Sequence, residues 1–158
     1  MNFLTEHGIG SYEELESRLT AVPARRDTAH AEIKRIESRS AELALVMKHA
    51  GTYRQLKPLY DRYRKSNDKE KFLRGHESEI ILFEAAAREL KRLGAVPLPT
   101  TESMKTELVS LAAEKERLLA EYKAARTEAQ EYETVKQNVD ALLTVPKEQE
   151  QQRRHELE

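Results

Sequence analysis

The sequence predicts an all-α protein built on a long antiparallel two-helix coiled coil, a helical hairpin, with a small helical bundle at the end distal to both termini. Two stretches of nearly equal length carry apolar residues at alternating spacings of three and four, which is the pattern of a coiled-coil seam. The 158 residues are 35% charged and 39% hydrophobic. That composition is typical of long solvated helices rather than of a thick globular core.

The first long helix is predicted over residues 11–50. The phrase S-Y-E-E predicts a capping box in which the Ser11 hydroxyl accepts a hydrogen bond from the Glu14 amide. Gly51 predicts a left-handed cap at the other end. Pro23 lacks a backbone donor and predicts a kink there, or a break into two helices that stay in line.

The second long helix is predicted over residues 101–144, where Pro146 stops it. Each helix would be roughly 60 Å long. Folding back would place Arg26 near Ala125 and Ala129, and Ser40 near Lys115. The polar tail, residues 147–158, is expected to be disordered, which leaves residues 1–146 as one helical domain.

Residues 52–96 predict a helical head between the two long helices. Pro58 is suited to the first turn of a short helix ending at Lys65. Asn67 resembles a cap for a further turn, and a longer helix is predicted from His76 to Leu93, with Gly94 as its stop.

Both long helices have a wider apolar stripe near the head. The additional apolar residues are Ala44, Leu45 and Val46 on the first helix, and Val109, Ala112 and Leu119 on the second. Because a wider stripe indicates more than one packing partner, we expect the head helices to pack there as a small bundle.

The sequence contains no pattern typical of a catalytic or metal site. It has no cysteine, which excludes disulfides and thiolate chemistry. The five histidines are far apart in sequence, and no glycine-rich phosphate-binding loop is present. We therefore expect a chain that is not an enzyme and holds no metal or cofactor. It shows no signal-peptide pattern and no membrane-spanning apolar run, so we expect a cytoplasmic protein without a membrane role.

A basic stretch, residues 53–76, is the candidate binding surface. It holds eight basic and three acidic residues, a net charge of +5, with interleaved tyrosines. The candidate nucleic-acid-binding residues are Arg54, Lys57, Tyr60, Arg62, Tyr63, Arg64, Lys65, Lys69, Lys71 and Arg74. The basic side chains would neutralise phosphates and the tyrosines would stack on bases. Two other interpretations remain: the stretch binds an acidic protein surface, or its aromatic residues belong to the bundle core while its charges solvate it.

Several helical phrases resemble the region that follows the catalytic domain in MobA-type relaxases. These are the mobilization nucleases of conjugative plasmids and integrative elements in Gram-positive gut bacteria. The phrases are S-Y-E-E-L-E-S-R-L (11–19), K-P-L-Y-D-R-Y-R-K (57–65), H-E-S-E-I-I-L-F-E-A-A (76–86), L-L-A-E-Y-K-A-A-R (118–126) and V-K-Q-N-V-D-A-L-L (135–143). The nicking domain of that family uses a tyrosine nucleophile and a histidine-bound metal, and its histidine cluster has no counterpart in this sequence.

The resemblance implies the non-catalytic C-terminal region of a relaxase. Its implied partners are DNA at a transfer origin, accessory proteins of the relaxosome, or the coupling ATPase. A generic coiled-coil interaction or spacer module without a nucleic-acid role is the alternative. The heptads also permit pairing between chains, so the chain is expected to be a monomer or a homodimer.

Overall fold

The computed structural model describes residues 3–157, and the side chains of all of these except residues 145–150. Its helices are α1 (Phe3–Glu6), α2 (Tyr12–Lys65), α3 (Lys69–Arg92) and α4 (Thr101–Glu156). The described residues contain no strand, and α2 packs against α4, which confirms the predicted all-α helical hairpin. The chain forms two compact units: unit 1 comprises Met1–Ile33 and Glu116–Glu158, and unit 2 comprises Lys34–Lys115.

Unit 1 is an antiparallel pair formed by the start of α2 and the later part of α4. Leu15 and Val22 of α2 share one buried cluster with Ala129 and Tyr132 of α4. The Tyr132 side chain is fully buried. Burial of these apolar side chains at heptad spacing stabilises the pair, as the sequence pattern predicts.

The short helix α1 adds a third element to unit 1 that the sequence analysis did not predict. The Phe3 ring meets the Tyr132 ring edge-on, with centroids 5.0 Å apart. Gly8 ends the helix in the left-handed region at φ 66°, a conformation that glycine adopts without strain. The chain then turns so that Ile9 joins the buried cluster.

Unit 2 packs α3 and the first part of α4 on the second half of α2. The buried face of α3 carries Ile80, Phe83, Ala86 and Leu90. Arg39 of α2 donates from Nε to Glu107 Oε1 of α4 at 2.7 Å, and Lys115 lies 3.5 Å from Glu37. Glu37 lies one helical turn before Ser40, the residue that was predicted to lie near Lys115.

Helix α2 is continuous through all three residues that predicted an interruption. Pro23 neither breaks it nor starts a new helix, Gly51 does not end it, and Pro58 lies inside it. The predicted helix end at residue 50 and the separate short helix from Pro58 are therefore wrong. A glycine costs about 1 kcal/mol and a proline about 3 kcal/mol in a helix interior, and packing of neighbouring residues such as Val22 and Ala50 offsets these costs.

The start of α3 also differs from the prediction. Its N-cap is Asp68, whose Oδ1 accepts from the Lys71 amide at 3.1 Å, rather than Asn67. His76, where a new helix was predicted to begin, has non-helical angles (φ −137°, ψ 26°) and lies at a kink that divides α3 into two helical segments, in agreement with that prediction. Gly94 follows the helix with φ 72°, which confirms the predicted stop.

Helix α4 continues beyond its predicted end. It begins at Thr101 and extends through Pro146 to Glu156, so the predicted end at residue 144 is wrong. Residues 147–156 of the predicted disordered tail are helical, and Glu158 lies outside the described residues.

The wider apolar stripes are covered only in part. Val46 is buried, but Leu45, Val109 and Leu119 are 43%, 71% and 45% exposed, and Ala44 and Ala112 are exposed as well. The expectation that the head helices cover both stripes is therefore wrong for these five residues. No helix in the described part of the chain is long and apolar enough to cross a membrane.

Candidate nucleic-acid interface

The turn that joins α2 to α3 lies in the middle of the basic stretch. Helix α2 ends at Lys65 and α3 begins at Lys69. The Ser66 amide donates to the Tyr63 carbonyl, and the Asp68 amide donates to Ser66 Oγ, each at 3.2 Å. These hydrogen bonds, together with the Asp68 cap on α3, fix the turn and hold the flanking basic residues on well-defined helix ends.

Five cations flank this turn, and we call them the turn cations: Arg62, Arg64, Lys65, Lys69 and Lys71. All five side chains are exposed. Within the part of the chain that the structure describes, none of them forms an ion pair. Their charges are therefore available to an anionic partner.

The helix dipole favours positive charge at the positions of three turn cations but not at the positions of the other two. Arg62, Arg64 and Lys65 occupy the last turn of α2, where the helix dipole favours positive charge. Lys69 and Lys71 lie in the first turn of α3, where the same dipole disfavours it. The helix dipole therefore does not account for these two lysines, although the acidic residues Asp68 and Glu70 lie in the same turn.

Three of the predicted binding residues have intramolecular partners instead. Arg54 donates to the Pro99 carbonyl at 2.6 Å and to Thr101 Oγ1 at 2.8 Å, so it ties α2 to the start of α4. Lys57 pairs with Asp61 one turn further along α2, with Nζ 3.3 Å from Oδ2. Arg74 makes a longer contact, from Nε to the Glu70 carbonyl at 3.4 Å.

The aromatic side chains of the stretch, together with Phe83 of α3, form a continuous row between α2 and α3, which we call the aromatic row. Its members in order of contact are Tyr53, Phe83, Tyr60, Tyr63, Phe72 and His76. Tyr60 stacks on the buried Phe83 ring with centroids 4.3 Å apart. This packing agrees with the interpretation in which the aromatic residues belong to the bundle core.

A shallow groove lies beside the turn. Ser66, Asp68, Lys71 and Phe72 contribute to its lining, together with Gly75 and His76. The Asp68 carboxylate accepts from the Lys71 amide, so its negative charge stays at this edge. An anion would therefore bind more favourably to the cations on the α2 side of the turn.

No protein-family model, curated protein or solved structure matches this chain. The candidate interface is therefore described only from the residues of this chain.

The described residues hold no group of three or more histidines or acidic residues arranged to bind a metal ion. The strongest pKa change is that of Tyr12 in unit 1. Its hydroxyl donates to Asp140 at 2.8 Å, and this hydrogen bond raises the pKa of Tyr12 to about 12. This hydrogen bond joins α2 to α4 and does not belong to the candidate interface.

Proposed function

We propose that this chain is the non-catalytic accessory region of a cytoplasmic conjugative-transfer relaxase and that its turn cations contact the DNA of a transfer origin. The observation that carries the proposal is the set of five exposed, unpaired cations around the α2–α3 turn. The positions of Lys69 and Lys71 at the start of α3 support it, since a helix N-terminus disfavours positive charge.

The physical basis of binding is the release of counterions from phosphates. Each phosphate that a basic side chain neutralises adds about −0.9 to the slope of log K against log salt for duplex DNA. If all five turn cations contact phosphates, the slope is about −4 to −5. Phrases such as K-P-L-Y-D-R-Y-R-K, residues 57–65, supply the link to relaxases, and this phrase ends at the turn.

A salt series tests the proposal. Fluorescence anisotropy of a labelled duplex, measured with increasing protein between about 50 and 200 mM salt, gives the affinity and its slope. Micromolar or tighter binding with a slope near −4 supports DNA contact by the turn cations. Absence of binding at the lowest salt, or binding that does not depend on salt, would falsify it.

A second candidate function is a coiled-coil protein-interaction or spacer module, in which relaxosome proteins or the coupling ATPase are the contacts. The observation that favours it is the exposure of Val109 on α4 and Leu45 on α2, both in unit 2. Exposed apolar side chains are suited to packing against a further helix, including one from a second copy. Sedimentation equilibrium separates an 18.2 kDa monomer from a dimer. A dimer that Val109→Glu converts to a monomer would favour this second function.

A further inference from the structure

We infer that the turn cations bind the sugar-phosphate backbone of duplex DNA, and that the aromatic row does not stack on bases. The inference rests on the proposed function and specifies the form of nucleic acid that the interface takes. It differs from the expectation drawn from the interleaved tyrosines, in which Tyr60 and Tyr63 would offer stacking surfaces.

The first argument is that each tyrosine ring already packs against neighbouring rings. Tyr60 is stacked on Phe83, with centroids 4.3 Å apart, and is tilted by 49° to Tyr63 at 5.8 Å. Tyr63 is also tilted, by 37°, to Phe72 at 6.0 Å. A base that stacked on the Tyr60 face would have to displace Phe83, and the displacement would remove packing that joins α2 to α3.

The second argument is that the cations and the rings differ in exposure. The turn cations are exposed, whereas Tyr60, Tyr63 and Phe72 are only partly exposed. A nucleic acid that approaches this surface therefore contacts the charged side chains before the aromatic rings. Recognition by charge alone favours the nucleic acid with the denser phosphates, and duplex DNA carries about one charge per 1.7 Å of axis.

Three probes of equal length test the inference with the full chain: a duplex, one of its strands, and an abasic strand with the same backbone. We expect the duplex to bind tightest, and the single strand and the abasic strand to bind within about twofold of each other. Stacking of one base would add about fivefold or more to the affinity of the base-bearing strand. A difference of that size, or equal affinity for duplex and single strand, overturns the inference while leaving the proposed function intact.

Removing the tyrosine hydroxyls provides a second measurement. The double variant Tyr60→Phe and Tyr63→Phe keeps both rings in the aromatic row and removes two hydrogen-bonding groups. Because contacts from the turn cations to phosphates need neither hydroxyl, we expect its duplex affinity to stay within about twofold of the original. A loss of tenfold or more would show that the tyrosine hydroxyls hydrogen-bond to the nucleic acid, so that recognition is not by charge alone, and would overturn the inference. Absence of binding to all three probes would overturn the proposed function as well.

Discussion

Cations along the α2–α4 pairing and cations around the α2–α3 turn have different surroundings. In unit 1, Arg25 of α2 pairs with Glu128 of α4. In unit 2, Arg39 pairs with Glu107 and Lys115 with Glu37. We call these three the seam cations. The turn cations have no such partner among the described residues, although they are the same residue types.

The seam cations contribute to helix pairing, whereas the turn cations have no ion-pair partner among the described residues. Each seam cation lies opposite an acid on the neighbouring helix, so its charge helps to set the register. Around the turn, Asp68 caps α3 and Glu70 pairs with no cation in the described part of the chain. Exposed pairs are worth only about 0.2–1 kcal/mol each. The absence of pairing at the turn therefore costs little stability and leaves a local excess of positive charge.

Neutralising the turn cations gives the largest expected effect. The triple variant Arg62→Gln, Arg64→Gln and Lys65→Gln removes three possible phosphate contacts. We expect duplex affinity near 0.1 M salt to fall about a hundredfold or more and the salt slope to become less negative by about 3. Anisotropy across the salt series measures both quantities.

The matched control is the triple variant of the seam cations, Arg25→Gln, Arg39→Gln and Lys115→Gln. It changes the net charge by the same amount at other positions. We expect its duplex affinity to remain within a few-fold of the original while its stability falls. Equal losses of affinity in both triple variants would mean that net charge, not position, governs binding.

The two lysines at the start of α3 allow a sharper test, because stability and binding should change in opposite directions. The double variant Lys69→Glu and Lys71→Glu replaces two cations with acids at the N-terminus of α3, the positive end of its helix dipole. We expect a gain of about 0.3–1 kcal/mol in the free energy of unfolding. We also expect duplex affinity to fall about tenfold or more, since two phosphate contacts are lost.

Urea unfolding followed by circular dichroism measures the first change, and anisotropy measures the second. If the variant is both less stable and weaker in binding, the two lysines stabilise the folded chain, and the loss of binding follows from the loss of stability. Lys48→Glu, in the middle of α2, controls for charge reversal far from a helix end.

Arg54 belongs to the basic stretch but resembles the seam cations in having partners. Arg54→Ala removes its hydrogen bonds to the Pro99 carbonyl and Thr101 Oγ1. Because the side chain is exposed, we expect a loss of only about 1 kcal/mol in unfolding free energy. Duplex affinity should change by less than about threefold. A loss of affinity as large as that of a turn-cation variant would show that Arg54 also contacts DNA.

The sequence predicted the fold better than it predicted the ends of the helices. Heptad spacing identified α2 and α4, because burial at that spacing is what holds a helix pair together. Gly51 and Pro58 misled the prediction because their local cost was weighed without the packing of Ala50 and Tyr53 beside them. Helix α1 was missed because four residues are too few to show a period.

The candidate interface was predictable as a charged stretch but not residue by residue. The exposure of Lys65 or Lys69 follows from their chemistry. The partner of Arg54 does not, since Pro99 lies far along the chain and only the fold brings the two together. The tyrosines were equally ambiguous, because the same ring can pack on Phe83 or stack on a base.

The smallest expected effect concerns the pH dependence of a seam pair. The hydrogen bond from Arg39 lowers the pKa of Glu107 below its ordinary value of 4.5. The pair therefore contributes its full stability at pH values above 4.5, and the contribution is lost as the pH falls through the lowered pKa of the folded state. Both side chains are 40% exposed, so the contribution is below about 0.5 kcal/mol.

We expect Glu107→Gln to be less stable than the original chain near neutral pH, and the difference to shrink as the pH falls to about 3. Arg39→Gln should show the same convergence, since it removes the other member of the pair. Urea unfolding at a series of pH values measures the difference directly. Curves for Glu107→Gln and the original chain that coincide at every pH would mean that this seam pair contributes no measurable stability. The seam cations would then differ from the turn cations only in having an acidic partner.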